Sequence, residues 1–231
     1  MGFKPLRIAV GALLLCVPVL LAALAVPRLS EGLSIEPYEL VKLAAIGGDP
    51  LAPETYHRAA VAYEDALPEN GALLGWHAQF LALSSSVDSA SIARTRAVAL
   101  QALQHAPVDT NAWTVLCESE AAVSPDRGTR CLDISFPVTR YDWFSSNKRM
   151  SLVAYEWPYL DENLRDSAVG LILPMWDSNH WIDNSTLRWV LLDLSRTPNG
   201  RQLLLAGMAP DHAAVRDFNR WVIQEEIIGV H

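Results

Sequence analysis

The chain has 231 residues, of which 26 are acidic and 18 are basic, so its formal net charge is −8. This acidic balance argues against binding to nucleic acid and against adhesion to an anionic bilayer, because both need a basic face. Beyond the N-terminal segment, roughly 200 residues remain, enough for one hydrophobic core or one array of repeats.

Residues 1–28 predict a membrane anchor. An apolar run extends without a charge from Ile8 to Val26, and as a helix it would span about 28 Å, close to the ~30 Å hydrocarbon thickness of a bilayer. Lys4 and Arg7 precede the run, so the positive-inside rule keeps the N-terminus in the cytoplasm. For a bacterial chain, this predicts a single-pass protein of the inner membrane with residues 29–231 in the periplasm.

The alternative for the same segment is a cleaved signal peptide. Ala23 and Ala25 satisfy the rule for small residues before a cleavage site, which would make Val26 the first residue of the mature chain. Both interpretations place residues 29–231 across the membrane as one exported domain. From Val26 onward the chain carries 16 basic and 26 acidic residues, a formal charge of −10.

Helical periodicity dominates residues 29–231, and the alternation typical of strands is nearly absent. Turn-forming residues interrupt Ala- and Leu-rich stretches at short intervals, and Thr197 and Asp211 stand where helix N-caps are expected. We therefore predict an all-α fold of antiparallel helix pairs. The predicted helices lie near residues 33–46, 53–66, 72–83, 89–105, 110–121, 126–135, 140–155, 160–173, 184–195, 198–207 and 211–227.

An internal repeat occupies the middle of the chain. Residues 106–113 (APVDTNAW) align with residues 136–143 (FPVTRYDW), so proline, valine and tryptophan recur at an offset of 30 residues, and a weaker copy begins at Pro68. Repetition at such a period indicates a helical solenoid, in which each helix pair buries its apolar face against its neighbours. Trp113 and Trp143 are then expected at equivalent buried positions.

The repeat resembles the tetratricopeptide (TPR) repeat over residues 70–145. Residues 113–117 (WTVLC) match the start of its first helix, and Ala102 with Pro107 matches the end of its second helix. Glu120 departs from the pattern because it stands where an aromatic residue belongs, and the offset is shorter than the period of about 34 residues. The resemblance implies a TPR-like α-helical solenoid that binds protein partners, which would follow the N-terminal transmembrane helix predicted from the apolar run.

A second stretch, residues 157–165 (WPYLDENLR) leading to Met175 and Trp176, is similar to a segment of small membrane-anchored TPR-like proteins of alphaproteobacteria. Such proteins accompany O-antigen or exopolysaccharide genes. The resemblance implies an accessory role in polysaccharide assembly or export.

Cys117 and Cys131 are the two cysteines outside the predicted anchor. Extracytoplasmic compartments oxidise thiols, and the repeat would place both cysteines at small contact positions of antiparallel helices, so a disulfide is one prediction. Two free thiols acting as small core residues are the other.

Candidate sites for chemistry are few. Five of the eight tryptophans lie within residues 143–189. Trp176 and Trp181 flank a polar loop that contains His180, and these three residues form a candidate binding surface. Indoles stack on sugars and anchor protein interfaces, although they also fill helix seams. The histidines are scattered, and no metalloprotease, nucleophile-elbow, phosphate-loop or dinucleotide motif occurs. We therefore predict no enzyme, no catalytic residue, no cofactor and no metal.

Two functions remain open from the sequence. The first is a non-catalytic, membrane-anchored TPR-like adaptor that docks a protein partner. The second is a protein that binds or weakly processes glycan through the Trp-rich region 143–189. Buried indoles would favour the adaptor, and exposed coplanar indoles in a cleft would favour the glycan.

Overall fold

The computed structural model describes residues 32–47, 51–66, 70–84, 88–138, 143–177 and 184–228. Every regular element within these ranges is helical, which confirms the all-α prediction. The predicted anchor, residues 1–28, lies outside the described residues. No helix within them combines the length and the apolar character needed to cross a bilayer.

Eleven α-helices follow one another along the described ranges. They are α1 Glu39–Gly47, α2 Pro53–Ala66, α3 Gly71–Ser84, α4 Ser89–His105, α5 Thr110–Ala121, α6 Pro125–Val138, α7 Trp143–Glu156, α8 Glu162–Asp177, α9 Asn184–Ser195, α10 Pro198–Met208 and α11 His212–Ile228. A helical turn over residues 32–35 and a 3-10 turn, Glu36–Tyr38, precede α1, and the 3-10 turn Trp157–Tyr159 follows α7.

Side-chain caps explain why the sequence locates several helix starts correctly. Asp88 accepts hydrogen bonds from the backbone amides of residues 90 and 91, and Asp109 accepts one from residue 112. Thr197 and Asp211 cap α10 and α11 in the same way, with Thr197 Oγ1 3.0 Å from the amide of Gly200. These bonds satisfy amides that have no partner within the helix.

Two predicted helix ends are wrong. The structure continues α6 through Pro137 to Val138 and α8 through Pro174 to Asp177, whereas the sequence predicted ends at residues 135 and 173. A proline removes one helical hydrogen bond, but Met175 and Trp176 beyond it are buried. Their burial stabilises the last turn of α8.

Packing follows chain order over the first part of the structure. Each helix from α2 to α6 packs on the next, and α3 also contacts α5. The order then changes, because α7 packs on α9, α5 and α10, and α8 packs mainly on α10. The second part is therefore built differently from a succession of neighbouring pairs.

Two apolar cores share one helix. The larger core extends from Leu74 on α3 to Phe218 on α11, and the smaller core joins α1 and α2 to Phe80 and Leu81 on α3. Apart from buried His77 and Gln79, helix α3 carries apolar or small residues around most of its circumference, as expected of a helix buried on both faces.

Helices α8 and α10 approach closely at a glycine. A Cβ atom added to Gly207 would lie 2.4 Å from the Cβ of Ile172, which is fully buried. The two helices can therefore approach this closely because Gly207 has no side chain.

Candidate functional site

Glu120 on α5 forms the centre of an ion-pair cluster. Arg96 on α4 donates from Nε to Glu120 Oε1 at 2.6 Å, and Arg127 on α6 donates to Glu120 Oε2. Burial would raise the pKa of the Glu120 carboxyl, but the hydrogen bonds from Arg127 and Arg96 and their charges outweigh burial and lower it. The residue that departs from the TPR pattern thus joins three consecutive helices.

Glu156, the last residue of α7, is a second buried carboxyl. Its side chain is 0% exposed, and neither oxygen has a hydrogen-bond partner among the described residues. A Cβ added to Gly128 on α6 would lie 3.3 Å from Glu156 Oε1, so the carboxyl sits against the backbone of α6. Burial raises the pKa of Glu156.

Trp176, one of the three candidate binding residues, is buried at 9% exposure. Its ring meets Phe218 edge-on at a centroid distance of 5.6 Å and lies 6.0 Å from Trp221, so α8 and α11 share this aromatic cluster. His180 and Trp181 lie outside the described residues. The candidate surface formed by the three residues therefore stays a prediction, and only the burial of Trp176 is described.

The other indoles with described side chains also contact the cores. Trp157 is buried, and its Nε1 donates to Gln202 Oε1 at 3.0 Å. Trp76 and Trp221 are half-buried. Trp113, expected to be buried, is only half-buried, because its Nε1 reaches the carbonyl of Pro107 at 2.8 Å on the surface. The side chain of Trp143 is outside the described residues.

Cys117 on α5 and Cys131 on α6 are joined by a disulfide in the structure, with their Cα atoms 5.2 Å apart. Both residues belong to the larger core. The bridge links two helices that already pack against each other, 14 positions apart in sequence.

Among the described residues, two open grooves involve helices from α6 onward. The first, of about 270 Å³, runs between α10 and α11 and is lined mainly by Leu204, Leu205, Met208, Val215, Phe218 and Val222, with Arg201 and Asn219 as polar members. The second, of about 290 Å³, lies between α6 and α8 and is more polar, with Asp133, Asn163 and Ser167 in its lining. We call the first the α10–α11 groove.

The α10–α11 groove has one exposed apolar side chain and one exposed cation on the same helix. Leu205 is 65% exposed, and Arg201 precedes it by four residues, so both stand on one face of α10. Within the described ranges, Arg201 forms no ion pair. An open groove with an apolar floor and a cation that forms no ion pair with a described residue can accept an apolar side chain beside a carboxylate.

The sequence did not point to Glu120, Glu156 or Leu205 as site residues. A signal existed for Glu120, because a carboxylate at a position that the repeat assigns to an aromatic core residue needs a cationic partner. No local signal marks Leu205, because its exposure depends on how α10 and α11 meet. Over the described ranges, no group of three or more His, Cys, Asp or Glu residues could hold a metal ion.

Comparisons with models of protein families, with curated proteins and with solved structures each found no match to this chain. The TPR resemblance and the similarity to polysaccharide-associated proteins therefore stay predictions from the sequence.

Proposed function

We propose that this chain is a non-catalytic, membrane-anchored helical adaptor that docks a protein partner in the α10–α11 groove. The observation that carries the proposal is that exposed Leu205 and Arg201, which forms no ion pair with a described residue, line the same apolar groove. The N-terminal apolar run supports the anchor, and the repeat supports a binding scaffold.

The groove specifies the chemistry of the partner. A volume of about 270 Å³ accommodates one or two apolar side chains. This is too small to bury the whole apolar face of a helix, but it is large enough for a single anchor residue of a peptide or helix. Arg201 then favours a partner segment with a carboxylate close to that residue. The resemblance of residues 157–165 supports a partner from the machinery of polysaccharide assembly or export.

The glycan alternative has less support. The described indoles of Trp157 and Trp176 are buried, and those of Trp76, Trp113 and Trp221 pack against the cores. Stacking on sugar rings needs an exposed aromatic face. Docking of a protein segment therefore accounts better for the described side chains of the Trp-rich region.

A site-specific crosslinking experiment tests the proposal. The photoreactive amino acid p-benzoylphenylalanine replaces Leu205 in the full chain, and cells are irradiated before the membranes are solubilised. The matched control carries the same amino acid at Tyr155, which is 70% exposed on α7 and lies outside both grooves. We expect one discrete crosslinked protein at position 205, a much weaker product at position 155, and loss of the 205 product when Arg201→Glu is added.

Equal crosslinking at both positions, or a 205 product that is insensitive to Arg201→Glu, would refute the groove as the docking site. Binding of purified polysaccharide to the full chain, abolished by substitutions in region 143–189, would favour the glycan function instead.

A further inference from the structure

The segment that precedes and includes α1 exposes an unusual number of leucines. Leu33 is 66% exposed, Leu40 is 76% exposed and Leu43 is 59% exposed. These three residues, which we call the leucine face, lie within eleven positions of one another. Leucines exposed singly are ordinary on a protein surface, but three exposed leucines so close in sequence, with Leu40 and Leu43 one helical turn apart on α1, are typical of an interaction site.

The opposite side of the same segment is already occupied. Ile35 and Val41 are buried in the smaller core, against α2 and α3. The segment is therefore apolar on two sides, and the smaller core covers only one of them. Burial of Ile35 and Val41 fixes which side faces outward.

Polar contacts hold α1 in this orientation. Glu39 accepts a hydrogen bond at 3.5 Å from Tyr63 Oη on α2, and Lys42 Nζ lies 5.2 Å from the centre of the Trp76 ring on α3. Lys42 also pairs with Glu39 at 3.3 Å. These contacts hold the charged side chains of α1 against α2 and α3. The leucine face therefore cannot turn inward unless these contacts break.

The sequence limits how far the leucine face can lie from a membrane. The apolar run ends at Val26, and Leu33 follows seven residues later. Even a fully extended chain spans at most about 3.6 Å per residue, so Leu33 lies within about 25 Å of the point where the run leaves the hydrocarbon. An outward apolar face within that distance can reach the headgroup layer, into which interfacial helices bury their apolar face by about 5–10 Å.

We propose that the leucine face rests in the headgroup layer of the membrane that holds the anchor, so that α1 lies along the bilayer and the domain sits upon it. The proposal rests on the anchor of the proposed function but not on the docking groove. Glu36 and Glu39 adjoin the face, and the chain from Val26 onward carries a formal charge of −10, so the contact suits neutral zwitterionic lipid rather than anionic lipid.

Spin-label accessibility tests this contact in the full chain. A nitroxide is attached at Leu40→Cys in a Cys16→Ser background, and the protein is reconstituted into phosphatidylcholine nanodiscs. The matched control carries the label at Tyr155→Cys, which is comparably exposed at 70%. Collisions with oxygen report lipid, and collisions with a water-soluble nickel chelate report solvent.

We expect the label at position 40 to show a several-fold lower nickel accessibility and a higher oxygen accessibility than the label at position 155. Equal nickel accessibility at the two positions would overturn the proposal. Dipolar broadening at position 40 in discs that hold two copies would also overturn it, because a second copy would then cover the face.

Co-migration of the protein with the nanodiscs separates the two proposals. If the chain stays with the discs and position 40 is fully aqueous, the leucine face is not membrane-bound although the anchor is present. If the chain leaves the discs, both the anchor and the leucine-face contact are refuted.

Discussion

Replacement of Glu156 by glutamine should make the protein more stable at neutral pH. The carboxyl is fully buried without a hydrogen-bond partner among the described residues, and burial raises its pKa above the ordinary value of 4.5. The folded protein therefore keeps the proton at pH values where the unfolded chain has lost it.

The sign and the size of the expected change in stability follow from the linkage between folding and proton binding. The stabilisation by this group is fully present below the unfolded pKa of 4.5 and is lost as the pH rises through the folded pKa. Within that window the unfolded chain binds one proton fewer, so the free energy of unfolding falls by about 1.4 kcal/mol per pH unit. Glutamine at position 156 has a similar shape and does not titrate. The free energy of unfolding of the variant should therefore exceed that of the wild type by an amount that grows at the same rate with pH across this window.

Urea unfolding of the full chain in detergent, followed by circular dichroism between about pH 4 and pH 8, measures this difference. Asp166→Asn on α8 is the matched control, since Asp166 is exposed and its removal should leave the wild-type pH dependence in place. The reasoning would be refuted if the free energy of unfolding of Glu156→Gln followed the same pH dependence as that of the wild type. It would also be refuted if the variant were less stable than the wild type at neutral pH.

Three further perturbations probe other contacts. Reduction of the Cys117–Cys131 bridge should lower the free energy of unfolding by about 3 kcal/mol, given the loop it closes, as urea midpoints with and without reductant would show. Glu120→Gln should lower the free energy of unfolding at neutral pH by about 1–2 kcal/mol, a modest loss because the two arginine partners are partly exposed. The difference from wild type should vanish as the pH falls through the lowered pKa of Glu120. Gly207→Ala should destabilise by about 1–3 kcal/mol, whereas Gly170→Ala, with open space around it, should not lower the melting temperature.

Local signals predicted the helices well. The bounds of α2, α4, α5 and α9 coincide with the predicted ranges, because prolines and capping residues mark where each helix begins. Ends beyond a proline were missed at Pro137 and Pro174, since the sequence does not show that buried residues continue each helix.

Tertiary features were less predictable. The partners of Glu120 lie 24 residues before it and seven residues after it, on two different helices, and no local pattern joins them. Likewise, the exposure of Leu205 and the burial of Trp176 depend on the changed packing order after α7. Periodicity identifies an apolar face, but only the packed structure decides which apolar faces stay uncovered.

The sharing of α3 between the two cores has a consequence for how the protein opens. Loss of α1 and α2 would expose Phe80 and Leu81 while leaving Leu74 and Ala78 packed in the larger core. Loss of α3 would disrupt both cores at once. Amide protons of α1 and α2 can therefore exchange with solvent through a partial unfolding. Amide protons of α3 exchange only when the larger core unfolds as well. The first two helices therefore form the part of the domain that unfolds first.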